Sequence, residues 1–305
     1  MKFILPKERT LNIRFHNDPG AYVAHYTRTE IALDLILKNN SLRLGPFSAT
    51  NDPRETKTWG FAIGASRERP SADVEALANR NADFDRILKH GCKILCVSED
   101  AANTWKQNVA GRCFGKVRMW AQYTDNHTGV CLIFDKEALD QTLKSTLRSR
   151  GMLMSGPVKY RDFWDDIGST DWIAHMDAFM LSANDIASRG LENVLRSARN
   201  KHIQTFFFQK SKDWESETEY RWILLGEMDE PEFVPLDDSL RAILLGIDFP
   251  QHRLAEVHSY CRQYQAHLSR IVWINGMPGV HWLAPDELSA AEFQRIRSMF
   301  GLNPN

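Results

Sequence analysis

The sequence predicts a single α+β domain over residues 1–305, in which helices flank a mixed, largely antiparallel sheet. Short β-branched or aromatic runs are interspersed with helix-like segments at irregular intervals. The order lacks a regular β-α-β alternation and a phosphate-loop glycine pattern, which disfavours a doubly wound parallel sheet. One long segment, 161–208, has apolar residues at helical spacing and is expected to form an inserted α-helical lobe.

Seven runs are predicted to be strands because each is short, apolar and bounded by Gly, Pro, Asp or Asn. In chain order they cover residues 21–26, 92–98, 129–135, 156–160, 219–225, 240–247 and 270–276. Thr27 and Glu30 match a T-x-x-E capping box and predict a helix through "IALDLILKNN". Two late helices are expected in "DFPQHRLAEVHSYCRQYQAHL" and in "DELSAAEFQRIRSMF", the second ending at Gly301.

Composition excludes several classes of protein. The 38 Lys and Arg nearly balance the 39 Asp and Glu, so overall charge gives no reason to expect binding to nucleic acid or to an anionic membrane. No apolar run approaches the roughly 18 residues of a membrane span, and the first residues do not resemble a signal peptide, so a cytoplasmic protein without a membrane partner is expected. The five cysteines are an odd number in a long chain, which argues against a disulfide framework.

The first candidate binding residues are His25, Tyr26 and Thr27, where the first strand meets the first helix. A rigid strand fixes side chains at such a junction while the backbone stays accessible. The alternative is that His25 only packs against the sheet edge.

The second candidate is "FSATNDPRE", in which Asn51, Asp52 and Pro53 form a turn sequence. Asp52 and Glu55 are two carboxylates that suit a metal ion or a ribose hydroxyl. The alternative is a turn with no further role.

The third candidate is "RMWAQYTDNHTGVCLIFD", residues 118–135. Trp120 and Tyr123 fall on a short helical turn and suit an aromatic wall, while His127 lies at the tip of the following polar loop. The alternative is an aromatic cluster that supports the next strand.

The fourth candidate is "WESETEYRWILL", residues 214–225. If the whole stretch is a strand, Glu215, Glu217, Glu219 and Arg221 share one face. On a solvated edge these charges are harmless, but in a cleft two of them at about 4 Å interact by about 4 kcal/mol at an effective dielectric near 20. Such a row needs a cationic partner or ligand.

In this order, the four stretches resemble the bacterial family catalogued as domain of unknown function 2971. The resemblance spans residues 21–247, apart from an enlarged segment at 161–208. The matching residues are His25-Tyr26-Thr27, Asn51-Asp52-Pro53-Arg54-Glu55, Ser98, Met119-Trp120-Ala121-Gln122-Tyr123, His127-Thr128-Gly129-Val130-Cys131, Phe134-Asp135, Val158-Lys159-Tyr160, Lys210 or Lys212, Trp214 with Glu217, Glu219 and Arg221, and Ile243-Leu244-Leu245-Gly246.

The same layout is more distantly similar to ADP-ribosyltransferases, which have a split sheet and use NAD as a substrate. That resemblance implies that His25 binds a ribose, Tyr26 or Trp120 stacks on nicotinamide, Glu219 is catalytic and Glu217 orients the acceptor. The other candidate NAD-binding residues are Thr27, Asn51, Asp52, Tyr123, His127 and Arg221, of which Asn51 and Asp52 have no counterpart in the transferase layout.

Three functional hypotheses follow. The preferred one is an ADP-ribosyltransferase, such as a toxin or phage-defence effector, that acts on an unidentified protein, nucleic acid or small molecule. It requires His25 and the two acids to converge on one cavity, and it predicts that Glu219→Gln removes NAD turnover with little change in thermal stability.

The first alternative is a metal-dependent nuclease, with Asp52, Glu55, Glu217 and Glu219 around Mg²⁺. The second is a non-catalytic sensing or interaction module in which the same polar residues form a buried network.

Overall fold

A computed structural model describes residues 18–64, 76, 79–102, 109–162 and 167–282. Within these ranges the chain has an α+β fold with a ten-stranded sheet, which confirms the predicted class. The strands are β1 Tyr22–Thr27, β2 Leu42–Pro46, β3 Ala62–Gly64, β4 Cys92–Ser98, β5 Val130–Asp135, β6 Met152–Pro157, β7 Lys159–Tyr160, β8 Met180–Ser182, β9 Gln209–Lys210, β10 Glu219–Leu225, β11 Glu232–Val234, β12 Leu240–Leu245, β13 His267–Ile274 and β14 Met277–Trp282.

Nine α-helices are present in the described part of the chain, together with a π-helical segment at Ile31–Leu37 and short 3-10 turns. The α-helices are α1 Pro53–Thr56, α2 Asn81–Lys89, α3 Val117–Tyr123, α4 Lys136–Leu147, α5 Thr170–Ala178, α6 Ala183–Arg189, α7 Leu191–Lys201, α8 Ile203–Phe207 and α9 Leu254–Tyr264. Within the described ranges, no helix combines the length and apolar character needed to cross a bilayer. The predicted helix in "DELSAAEFQRIRSMF" lies outside the described residues.

The main sheet runs in the order β6-β10-β4-β1-β5-β12-β13-β14. Every neighbouring pair in this order is antiparallel except β12 and β13. This arrangement confirms the prediction of a mixed, largely antiparallel sheet. Strand β4 is central because β10 covers its whole length on one edge, from Cys92 to Ser98.

On the opposite edge of β4, two strands, β1 and β2, pair with different parts of its length. Strand β1 pairs with it only at Ala24 and Ser98, whereas β2 pairs with it at Ile94 and Lys93. Beyond Ala24, β1 continues to pair with β5 as far as Thr27. The sheet is therefore split where β1 leaves β4.

The two faces of the sheet bury different cores. On one face, the π-helical segment, α4 and α9 cover alternate strand residues such as Val23, Val97 and Trp222. On the other, α2, α7 and α8 cover residues such as Ile94 and Ile223, and α3 covers the part around Ala24. Because successive strand residues point to opposite faces, each strand contributes to both cores.

The segment predicted as a helical lobe contains the four helices α5 to α8 but also the short strand β8. Strand β8 pairs in parallel with β3 and so ties the lobe to the segment after α1. Ser169 and Ser182 accept backbone N–H bonds at the starts of α5 and α6.

Two local predictions were wrong in detail, and one conditional reading is excluded. The strand expected over 156–160 is divided between the end of β6 and β7. The predicted strand 219–225 is confirmed as β10, and the conditional extension back to Trp214 is not formed, because Lys212–Glu217 is a 3-10 turn that the left-handed Thr218 (φ 42°) ends. Thr27 does not cap the first helix, since it is still paired in β1.

Candidate functional site

A buried guanidinium lies at the centre of the candidate site. The Nε of Arg221 donates to Glu219 Oε1 at 2.7 Å, and one terminal nitrogen lies 2.7 Å from Glu55 Oε1. The other terminal nitrogen donates to the Phe207 carbonyl at 2.5 Å. Arg221 is 0% exposed, Glu219 4% and Glu55 1%, so these charges are compensated by one another rather than by water.

A second cation extends this cluster. Lys210 Nζ lies 2.7 Å from Glu219 Oε2 and 2.9 Å from Glu217 Oε2. The Tyr123 hydroxyl donates to Glu217 Oε1 at 2.7 Å and is also hydrogen-bonded to the Asn51 side chain. We refer to Glu55, Lys210, Glu217, Glu219 and Arg221 as the acid–base network.

Local backbone features position these carboxylates. Glu219 and Arg221 are two residues apart on β10 and therefore share one face. The left-handed Thr218 turns the chain so that Glu217, although outside the strand, also reaches Lys210. Asp52 accepts the Arg54 N–H and starts α1, which directs Glu55 into the network.

Burial and charge act on the network in opposite directions. Burial favours the neutral acid, but the positive charges of Arg221 and Lys210 lower the pKa of Glu219 to about 2. For Glu55, burial dominates and Glu219 adds repulsion, so its pKa is raised despite Arg221. Burial opposes the charged form of Lys210, but Glu219 and Glu217 raise its pKa. Glu219 is therefore ionised at neutral pH, and Glu55 is the acid that binds a proton more readily.

His25 does not face these acids. Ala24 and Glu219 both pair with Ser98, so they share a face of the sheet, and His25 points to the opposite face, as Val23 does. Its Nδ1 lies 3.2 Å from the Cys96 carbonyl, and burial lowers its pKa. His25 and Glu219 therefore do not converge as the sequence predicted, because their side chains point to opposite faces of the sheet. They are linked instead through Cys96, whose side chain hydrogen-bonds Glu219.

The expected stacking residues are packed into the core. The Tyr26 hydroxyl donates to the Cys113 carbonyl at 2.8 Å, and its ring meets Trp120 edge to face at 5.3 Å. Trp120 is 0% exposed and donates to the Phe114 carbonyl. Neither ring has an open face in this structure, whereas the half-buried Tyr123 contacts the network directly.

The other predicted residues are placed separately. Thr27 is paired in β1, and His127 packs edge to face on Trp273 at 5.8 Å. The four carboxylates expected around a metal ion do not converge on one accessible position. Asp52 caps α1, and Glu55, Glu217 and Glu219 bind Arg221 or Lys210. In the described part of the chain, no three His, Cys, Asp or Glu are grouped to hold a metal ion.

Sequence reasoning singled out the acids but missed how they are paired. Lys210 appeared only as one of two alternatives, and Tyr160, whose hydroxyl accepts the Glu219 N–H at 2.6 Å, had no assigned role. A Lys or Arg close in sequence to an E-x-E motif could have indicated these ion pairs, because buried carboxylates require cationic partners. All five cysteines are described and all are free thiols.

Comparison with known proteins gives one match. No curated protein and no solved structure matches the chain. A family model described as "Protein of unknown function (DUF2971)" matches residues 119–222. This region begins within α3 and contains β5, the helical lobe and the start of β10. It therefore includes Tyr123, Lys210, Glu217, Glu219 and Arg221. From α3 to β10, the chain is thus similar to the DUF2971 family.

Proposed function

We propose that the chain is an ADP-ribosyltransferase that breaks the nicotinamide–ribose bond of NAD and transfers ADP-ribose to an acceptor, with Glu219 as the acid beside the reacting ribose. The observation that carries this proposal is the pairing of the buried Glu219 carboxylate with Lys210 and Arg221, each at 2.7 Å. Nicotinamide leaves with the bonding electron pair, so positive charge develops on the ribose, and a fixed carboxylate stabilises it. Arg221 and Lys210 keep Glu219 ionised by holding its pKa near 2.

The charge balance of the acid–base network also supports this proposal. Its three carboxylates outnumber Lys210 and Arg221 by one when all are ionised. An uncompensated unit charge attracts a cationic group at about 4 Å by about 4 kcal/mol at an effective dielectric near 20. While Glu55 is ionised, the network therefore favours a species that becomes positive over one that stays neutral, and proton binding by Glu55 cancels the excess charge.

This proposal gives up the requirement that His25 and the two acids converge on one cavity, and the roles of the other residues change from those expected. Tyr123 is the aromatic group next to Glu217, so it replaces Trp120 as the residue closest to a bound ring. His25 acts through Cys96 and is a positioning residue.

The test compares two buried carboxylates that both bind Arg221. Labelled NAD is incubated with the protein and with cell lysate, and free nicotinamide and labelled macromolecules are measured. Glu219→Gln should reduce NAD cleavage at least 100-fold, whereas Glu55→Gln should retain it within tenfold. Both variants should be less stable than the wild type, because Glu219 has two buried cationic partners and Glu55 has one. For Glu219→Gln this replaces the expectation from the sequence that thermal stability changes little.

A second candidate function is a non-catalytic interaction module, and the closed ion pairing of Glu217 and Glu219 favours it. In such a module the network fixes the fold and binds no substrate. The absence of NAD cleavage by the wild type, or equal losses in Glu219→Gln and Glu55→Gln when both are folded, would contradict the transferase and support the module.

A further inference from the structure

A groove lies between α1, the chain that follows α1 and the lobe helix α5. Its volume is about 510 Å³, within the range of small-molecule sites. Neither Glu219 nor Glu217 lines it. The lining residues are Pro53, Arg54, Lys57, Thr58, Trp59, Gly60, Ala62, His175, Met176, Phe179 and Met180.

One end of the groove is cationic. The Arg54 side chain is part-buried and donates to the Thr205 carbonyl at 3.2 Å and to Gln209 Oε1 at 2.7 Å, both neutral acceptors. Among the described residues, no carboxylate lies within ion-pair distance of its guanidinium. Lys57 adds an exposed ammonium group at the rim. Asp52 and Glu55 attract Arg54 without forming an ion pair with it, so an anion at this end would supply a direct ion pair.

The rest of the groove is apolar and partly open. Trp59 and Phe179 form an edge-to-face pair at 6.1 Å, and Met176 and Met180 line the same groove. Met180 is 54% exposed and Met176 37%, which leaves flexible apolar side chains in water. Exposed apolar surface with a polar rim is typical of a binding site, and methionine adapts to ligands of varied shape.

We propose that this groove binds a small amphipathic anion, an aromatic or aliphatic body that carries one carboxylate. The carboxylate binds Arg54 and Lys57, and the body lies along Trp59, Phe179 and the two methionines. The site does not depend on the NAD chemistry proposed above, since it shares none of the five network residues.

Binding is tested with two matched probes, 4-phenylbutyrate and the uncharged 4-phenylbutan-1-ol. Protein with ¹³C-labelled methionine methyl groups is titrated with each probe and followed by NMR. The carboxylate should shift the Met176 and Met180 signals saturably, and the alcohol should bind at least tenfold more weakly. The full-length chain is used throughout.

Three variants and one control variant locate the site. Met180→Glu should weaken 4-phenylbutyrate binding at least tenfold, whereas Met228→Glu, at an equally exposed methionine outside the groove, should leave it unchanged. Arg54→Gln should bring the affinities of the acid and the alcohol close together. Lys57→Gln changes an exposed residue at the rim and should also reduce the difference in affinity between the acid and the alcohol. This variant keeps the test available if Arg54→Gln fails to fold.

Three results would overturn the proposal. They are the absence of saturable shifts at Met176 and Met180 with 4-phenylbutyrate, equal wild-type affinity for the two probes, and binding that Met180→Glu leaves unchanged.

Discussion

Arg221 joins two carboxylates from distant parts of the chain. Glu219 precedes it by two residues on β10, while Glu55 comes from α1. A buried ion pair adds little net stability, but removing one partner destabilises the protein strongly because the remaining charge stays buried without a partner. The residue therefore couples α1 to the sheet.

Arg221→Met should lower the free energy of unfolding by about 3–5 kcal/mol, because it leaves two buried carboxylates facing an apolar side chain. The matched control is Arg241→Met, whose pair with Asp135 at 3.2 Å is partly solvated and should contribute at most about 1 kcal/mol. Urea unfolding of the three proteins measures both values. Equal losses in the two variants would mean that burial does not amplify the Arg221 pairs.

The close approach between the end of β12 and the loop after α3 shows how elements fix one another. Gly246 donates its N–H to the Gly129 carbonyl at 2.9 Å, and the Asp248 N–H donates to the His127 carbonyl at 3.2 Å. Asp125, Asn126 and His127 in that loop all have positive φ. Loop and strand end thus meet backbone to backbone, with little space for a side chain.

Gly246→Ala should destabilise the protein by about 1–3 kcal/mol, the typical cost of overpacking. A Cβ at this position would lie 1.9 Å from the His127 carbonyl oxygen, so the backbone must move. Gly60→Ala is the control, because a Cβ there meets nothing within 4 Å. Thermal unfolding of both variants checks the prediction, which fails if Gly246→Ala melts within a degree of Gly60→Ala.

At the scale of the whole molecule, stability should be highest where β1 and β5 cross the middle of the sheet. Strand β5 pairs with β1 on one edge and β12 on the other, and Val130 to Phe134 are all 0% exposed. Among the described strands, β14 pairs only with β13, at the end of the sheet order. Global stability is set by such doubly paired, buried strands.

Native-state hydrogen exchange should therefore be slowest at the amides of β5 and at least 100-fold faster at those of β14. Mass spectrometry of peptides covering Val130–Asp135 and Met277–Trp282 measures the difference. Exchange of both segments at the same rate would show that the sheet opens as a single unit.

The sequence predicted β4 and β10 with the bounds that the structure has, since each is an apolar run with clear polar ends. It also identified Glu217, Glu219 and Arg221 as charges that need partners. It missed β2, whose run "LRLGP" is short and ends in Gly and Pro. It also left open whether β10 extends back to Trp214, which the 3-10 turn Lys212–Glu217 excludes. Local pattern is weakest where a strand is short or where one left-handed residue interrupts it.

The sequence by itself determined the α+β class, most of the strands and the acids of the candidate site, because alternation and residue chemistry are local properties. Only the tertiary structure decided that Lys210 joins Glu217 to Glu219, that Glu55 meets Arg221, and that His25 lies on the other face of the sheet. Alternation assigns faces within one strand, but the relative register of two strands is set by their pairing, and a shift of one residue reverses the face.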